Sequence, residues 1–207
     1  MVEIASPLVV GDGLGVQIRY PGVNPAINPD TTTFENTGAQ SLDVISHDNG
    51  DIRLRRPLDD TAYYSSITAS GRVEQIGGDA FRVATTGRDR LTVMVRFDQL
   101  AETSTAPAYS AGVQAVTAHW NAFWTKGGVV DFSGSTDPRA HELERRVVLS
   151  QYLSAVNGAG ELPPQEEGLF SNSWYGKFHL EMHPWHSGWQ AIWGRSELLE
   201  RLSLIHI

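Results

Sequence analysis

Between Asn172 and Trp189 the sequence reads NSWYGKFHLEMHPWHSGW, with three tryptophans, three histidines, one lysine and one glutamate in 18 residues. This is the stretch where residue types could do chemistry. An indole packs on the C–H face of a pyranose while its N–H stays free to donate, so Trp174 and Trp185, which flank the polar cluster, are candidate sugar platforms. Trp189 and Trp193, spaced i and i+4, read as core residues instead. His179, Glu181 and His183 form H-x-E-x-H. A zinc protease needs H-E-x-x-H, with its glutamate on the metal-facing side of a helix. Here Glu181 falls between the histidines, on the other side of any such helix, and Pro184 disrupts the next turn. The spacing therefore speaks against a metalloprotease around His179 and His183.

Carboxylates are the second requirement for sugar chemistry, because glycoside cleavage uses two of them on either side of the scissile bond. Glu166, Glu167, Glu181 and Asp137 are the candidates. Asp137 is more simply a helix cap, and Glu167 reads as solvated. Glu166 follows LPPQ in a loop and fits either role. Glu181, set among aromatics beside His179, is the residue expected to meet substrate hydroxyls. Lys177 and Arg145 can bond hydroxyls as well, and Arg145 can equally form a buried ion pair with Glu142 or Glu144. His183 and His186 read as structural.

The elements that must position these residues fall into two halves. All six tryptophans follow residue 119. Residues 1–105 carry short alternating runs broken by Gly, Asp and Asn. In DIRLRR, Ile52 and Leu54 alternate with arginines. Phe81 and Val83, then Leu91, Val93, Val95 and Phe97, sit at period two around TTGRD, which predicts a hairpin with one buried face. Regular short strands predict an antiparallel β-sandwich for 1–105. YPGVNPAINPD reads as a loop.

From ETSTAPAYSAG onward the pattern is helical. Ser110 is placed to cap a helix with apolar positions Val113, Val116, Trp120, Phe123 and Trp124, stopped by Gly127 and Gly128. Asp137 and Pro138 open a second helix that Asn157 and Gly158 end. That helix is apolar nearly all round, which predicts burial on most sides. A loop follows to Lys177. FHLEM begins a third element that Pro184 interrupts, and HSGWQAIWGRSELLER holds one or two more helical stretches.

Composition narrows the function. Lys and Arg number 16 against 24 Asp and Glu, for a net charge of −8. Such a chain lacks the basic face that nucleic acid or an anionic membrane needs. With no cysteine, disulfides and thiolate metal sites are excluded. No apolar run approaches the length of a membrane span. MVEIASPLVV shows no basic segment followed by an apolar core, so no signal peptide is expected if Met1 is the true start. LSLIHI, at 202–207, matches one reading frame of a transposon end used in making sequencing libraries. The gene is therefore expected to have been cut at about Arg201, leaving an adapter-derived tail.

ELERRVVLSQYL, PPQEEGL, NSWYGKFHLEMHPWH and AIWGR, in that order, closely resemble a branch of glycoside hydrolase family 65. The branch is itself similar to acid trehalases and to the glucosidase that trims glucosyl-galactosyl-hydroxylysine. The resemblance is dense over about 120–201, and the front half agrees in type. It implies an (α/α)6 barrel of paired helices after the sandwich, with 106–201 as a linker helix and the barrel's start. It implies inverting attack on an α-glucoside by water or phosphate, with no cofactor. Better-known members hold the non-reducing glucose with a W-D-x-E stretch where KFHLEM stands here, without the Trp-Asp pair. The expected sugar contacts are Trp174, Lys177, His179 and Glu181, then Glu166 and Trp185. The family's general acid lies downstream of this stretch, so the chain is expected to be an inactive fragment of an enzyme. The alternatives are a phosphorylase and a non-catalytic carbohydrate-binding protein.

Overall fold

A computed structural model describes residues 1–22, 41–85, 87–101, 107–169 and 174–202. Most of the Pro- and Asn-rich loop, the segment 102–106 and the tail at 203–207 lie outside the described residues. The described residues divide into two compact units, one of those up to Thr117 and the other of those from Ala118 onward.

Among the described residues the first unit has eight strands: β1 (Val2–Ala5), β2 (Val16–Arg19), β3 (Asp43–Asp48), β4 (Asp51–Leu58), β5 (Thr61–Ala69), β6 (Arg72–Gln75), β7 (Ala80–Ala84) and β8 (Arg90–Asp98). A one-turn helix, α1 (Pro7–Val10), follows β1 and is capped by the Ser6 hydroxyl. All pairings are antiparallel. They make a five-stranded sheet in the order β1-β8-β5-β4-β3 and a three-stranded sheet in the order β2-β7-β6. One apolar core draws Ile52, Leu54, Ile67, Leu91 and Val93 from the first sheet and Val73, Phe81 and Val83 from the second. This is the arrangement of a β-sandwich.

The expected hairpin across TTGRD does not form. β7 pairs with β2 and β6, whereas β8 pairs with β1 and β5. The connection passes from one sheet to the other. Period two marks a buried face, and strands facing each other across a core carry that mark as clearly as strands lying side by side. Phe97 departs from the buried series, being 62% exposed against Tyr20 and Tyr63. β4 adds a surprise: after Ile52 and Leu54, the third inward position is Arg56, which is buried and donates to the Pro21 carbonyl.

The second unit follows from α2 (Tyr109–Thr125), which runs through the unit boundary, and contains α3 (Ala140–Asn157), α4 (His183–Ile192) and α5 (Ser196–Arg201). Ser110 is not the cap of α2. The helix begins at Tyr109, and the Gly112 N–H bonds the Ala108 carbonyl, leaving Ser110 inside the first turn. Asp137 is not the cap of α3, whose N-cap position is Arg139 with no side-chain cap bond; it stands just ahead of the helix and accepts the Arg139 N–H at 2.8 Å. Its carboxyl is held below the usual range by the Arg139 guanidinium and by that backbone bond.

The expected burial of α3 on most sides is wrong. Only Ala140 and Gln151 are buried, while Leu143, Leu149, Tyr152 and Leu153 are exposed. An apolar helix surface states how many sides can be covered; it does not supply the partners. Trp120 packs on Tyr152 with ring centroids 4.9 Å apart, which gives α3 one aromatic neighbour. At the end of α2, Arg195 lies over the Phe123 ring at 4.3 Å and donates to the Phe123 and Gly128 carbonyls. Burial lowers its pKa from the ordinary arginine value.

Candidate functional site

The loop after α3 brings Glu166 to the site. The Glu166 N–H donates to the Lys177 carbonyl at 3.2 Å, and the Gly168 N–H to the Gln165 carbonyl at 2.9 Å. Gly168 has φ +81°, and a Cβ there would stand 2.8 Å from the Asn157 side chain. Glycine is therefore what lets this loop press on the last turn of α3.

Trp174, Tyr175 and Gly176 turn left-handed in succession, with φ of 49°, 60° and 67°. The Lys177 N–H closes the turn on the Trp174 carbonyl. For bulky L-residues this conformation costs roughly 1–2 kcal/mol each, and strain of this kind collects at functional sites. The chain then extends through His179, makes a 3-10 turn at Leu180–Met182 and enters α4. Pro184 does not interrupt this element as expected. It sits in the first turn of α4, where a missing N–H costs nothing.

His179 is the centre of the arrangement. Its Nε2 is 3.7 Å from Glu166 Oε2, and its Nδ1 is 3.7 Å from Glu181 Oε1. Both distances exceed hydrogen-bond length. Nε2 is buried and has no hydrogen-bond partner among the described residues. The Trp174 ring meets the imidazole edge-on at 5.8 Å. Two carboxylates and an indole thus bracket one imidazole. The carboxylates differ in setting: Glu166 is 19% exposed and Glu181 75%. Lys177 stands beside them with its ammonium 5.7 Å from the Tyr175 ring centre. Trp185 is 80% exposed on α4. Among the described residues no ring stack or ion pair joins it to His179 or Glu181.

The remaining candidates fall into structural places. His183 opens α4 edge-on to Phe178, and His179 is extended, so the two histidines share no helix face. Among the described residues no group of three or more His, Asp or Glu side chains is arranged to hold a metal ion. Arg145 pairs with Glu142, but the pair is exposed rather than buried. Arg145 and Arg146 together hold the Glu142 carboxyl down to about 2 through their hydrogen bonds. Glu144 accepts the Phe132 N–H. The Trp193 carbonyl receives the Gly128 N–H, fixing the turn after α4.

Beside Glu166 lies a cavity of about 300 Å³ that sequence reasoning missed. Ser154 and Asn157 come from α3, Glu166 and Glu167 from the loop, and His186 and Ser187 from α4. Glu167 reads as solvated in the sequence, His186 as structural and Asn157 as a helix stop. Ser187 carried the one legible signal, a hydroxyl in the buried register of an amphipathic helix.

Among the described residues no helix is long and apolar enough to cross a membrane. Comparison with known proteins finds no matching family model and no matching curated protein.

Proposed function

We propose that this chain is an N-terminal part of an inverting glycosidase that acts on α-glucosides. Glu166, Trp174, His179 and Glu181, with Lys177 at their edge, form part of its glucose subsite. The observation that carries the reading is His179 between two carboxylates, with an indole on its edge and a buried ring nitrogen still open. Carboxylates accept from vicinal hydroxyls, the imidazole supplies a further donor or acceptor, and the indole covers a C–H face. In the parent enzyme a carboxylic acid outside these residues protonates the glycosidic oxygen, while a second group activates water on the opposite face. The exposed apolar rows of α2 and α3 support a barrel whose further helices cover them. Lys177 is the cation this cluster offers among the described residues, so water is favoured over phosphate as nucleophile.

One observation favours a second reading, a carbohydrate-binding protein without turnover. Glu166 and Glu181 approach the same imidazole rather than facing one another across a gap. The uninterrupted gene, expressed and assayed against a panel of α-glucosides, separates the two. Release of glucose with inverted anomeric configuration is expected. Sugar binding without release would establish the binding protein instead, and the absence of both would end both readings.

A further inference from the structure

The cavity beside Glu166 is distinct in character from the cluster around His179. Its polar lining is Ser154, Asn157, Glu166, Glu167, His186 and Ser187, and it contains no Lys or Arg. Two acidic residues thus line a concave space of about 300 Å³ whose wall has no Lys or Arg, a size at which small-molecule sites begin. Ser187 is only 3% exposed, lines this space, and has no side-chain hydrogen-bond partner among the described residues. Its hydroxyl is therefore open to a ligand atom entering this space. Asn157 has its amide N–H₂ committed to the Leu153 carbonyl, which leaves its oxygen as an acceptor.

The lining is therefore rich in acceptors. A neutral sugar can satisfy such a wall with hydroxyl donors, but it leaves the Glu166 charge to His179 at 3.7 Å and the exposed Glu167 to solvent. A divalent ion would supply the charge, yet the described residues offer no group of three or more metal-ligating side chains. A single ammonium supplies charge and three donors at once. The chain's net charge of −8 attracts cations generally.

We propose that this cavity binds an amino-substituted hexose, with its protonated amine between Glu166 and Glu167 and its hydroxyls toward Ser154, Asn157 and Ser187. The hexose part rests on the sugar reading above; the charge preference rests on the cavity wall alone. Glu166 is shared, its carboxylate serving the cavity on one side and His179 on the other.

The test is titration calorimetry of the 207-residue chain with glucosamine, glucose, N-acetylglucosamine and ethanolamine, at a pH where the amines are protonated. Glucosamine is expected to bind about tenfold or more tighter than glucose or N-acetylglucosamine, with an affinity that falls as salt rises. Glu167→Gln, at an exposed position, is expected to remove most of that advantage while unfolding like the parent, and Glu166→Gln to do the same. Equal affinity for glucosamine and glucose would overturn the charge preference and leave the sugar reading standing. Ethanolamine binding as tightly as glucosamine would overturn the hexose part. Silence from all four ligands would overturn the site. An advantage that survives in Glu167→Gln and in high salt would overturn the carboxylate assignment.

Discussion

Glu166 and His179 come from two separate loop segments and stand with Oε2 and Nε2 3.7 Å apart. The approach depends on a glycine two residues away. Gly168 takes φ +81° where the loop touches Asn157. Gly168→Ala is expected to cost about 1–2 kcal/mol in unfolding free energy, from the positive φ together with the close side-chain contact. Thermal unfolding measures the cost. In the same variant the nuclear Overhauser contact between the Glu166 and His179 side chains should weaken.

Arg195 is expected to be the main clasp of the helical unit. It donates to two carbonyls at the end of α2, at Phe123 and Gly128, and covers the Phe123 ring. Arg195→Met keeps the bulk of the side chain and deletes the donors. Hydrogen bonds from a charged group are worth about 1.5–3 kcal/mol each, so a loss of roughly 2–4 kcal/mol is expected in urea unfolding. An unchanged midpoint would show that the two carbonyls find other donors.

In the sandwich, Phe81 and Phe97 look alike in sequence and differ in place. Phe81 is fully buried in the shared core, and Phe97 is largely exposed. Phe81→Ala should destabilise the first unit by about 3–5 kcal/mol. Phe97→Ala should cost less than about 1 kcal/mol. Equal costs would contradict the assignment of β7 and β8 to opposite sheets around one core.

Glu142 gives a pH dependence of known sign. Hydrogen bonds from Arg145 and Arg146 lower its carboxyl from 4.5 to about 2 in the folded chain. A lowered folded-state value means that the stabilisation is complete above pH 4.5 and is lost as pH falls through about 2. The group is exposed, so the effect is small and screened by salt. Glu142→Gln is expected to flatten this acid limb in circular dichroism of the helical signal and to lose the same small stabilisation at neutral pH.

Much of the fold was legible because burial repeats with the backbone period. Ile52, Leu54, Phe81, Val83, Leu91 and Val93 all read as core from alternation, and all are core. Gly158 reads as a helix stop and is the C-cap of α3, whereas Asp137 stands ahead of the helix and holds the Arg139 N–H. Strand pairing was not legible, since period two marks a face and names no neighbour. Arg56 broke the rule from the other side, taking an inward position among apolar residues with one guanidinium nitrogen donating to the Pro21 carbonyl and another buried without a partner among the described residues.

At the candidate site, residue type identified Glu166, Trp174, His179 and Glu181, which the structure brings to one imidazole. Trp185, chosen on type alone, stands apart on α4. Apart from the buried-register hydroxyl of Ser187, the cavity wall was illegible because Ser154 and Asn157 are ordinary helix residues until the loop folds against them.

The most direct test of the sugar subsite is titration of the chain with maltose and trehalose, followed by NMR of the indole N–H and imidazole signals. Saturable shifts at Trp174 and His179 are predicted. They should be abolished by His179→Ala, weakened severalfold by Glu181→Gln, and left intact by Trp185→Ala. Shifts confined to Trp185, or affinities indifferent to His179→Ala, would contradict the account.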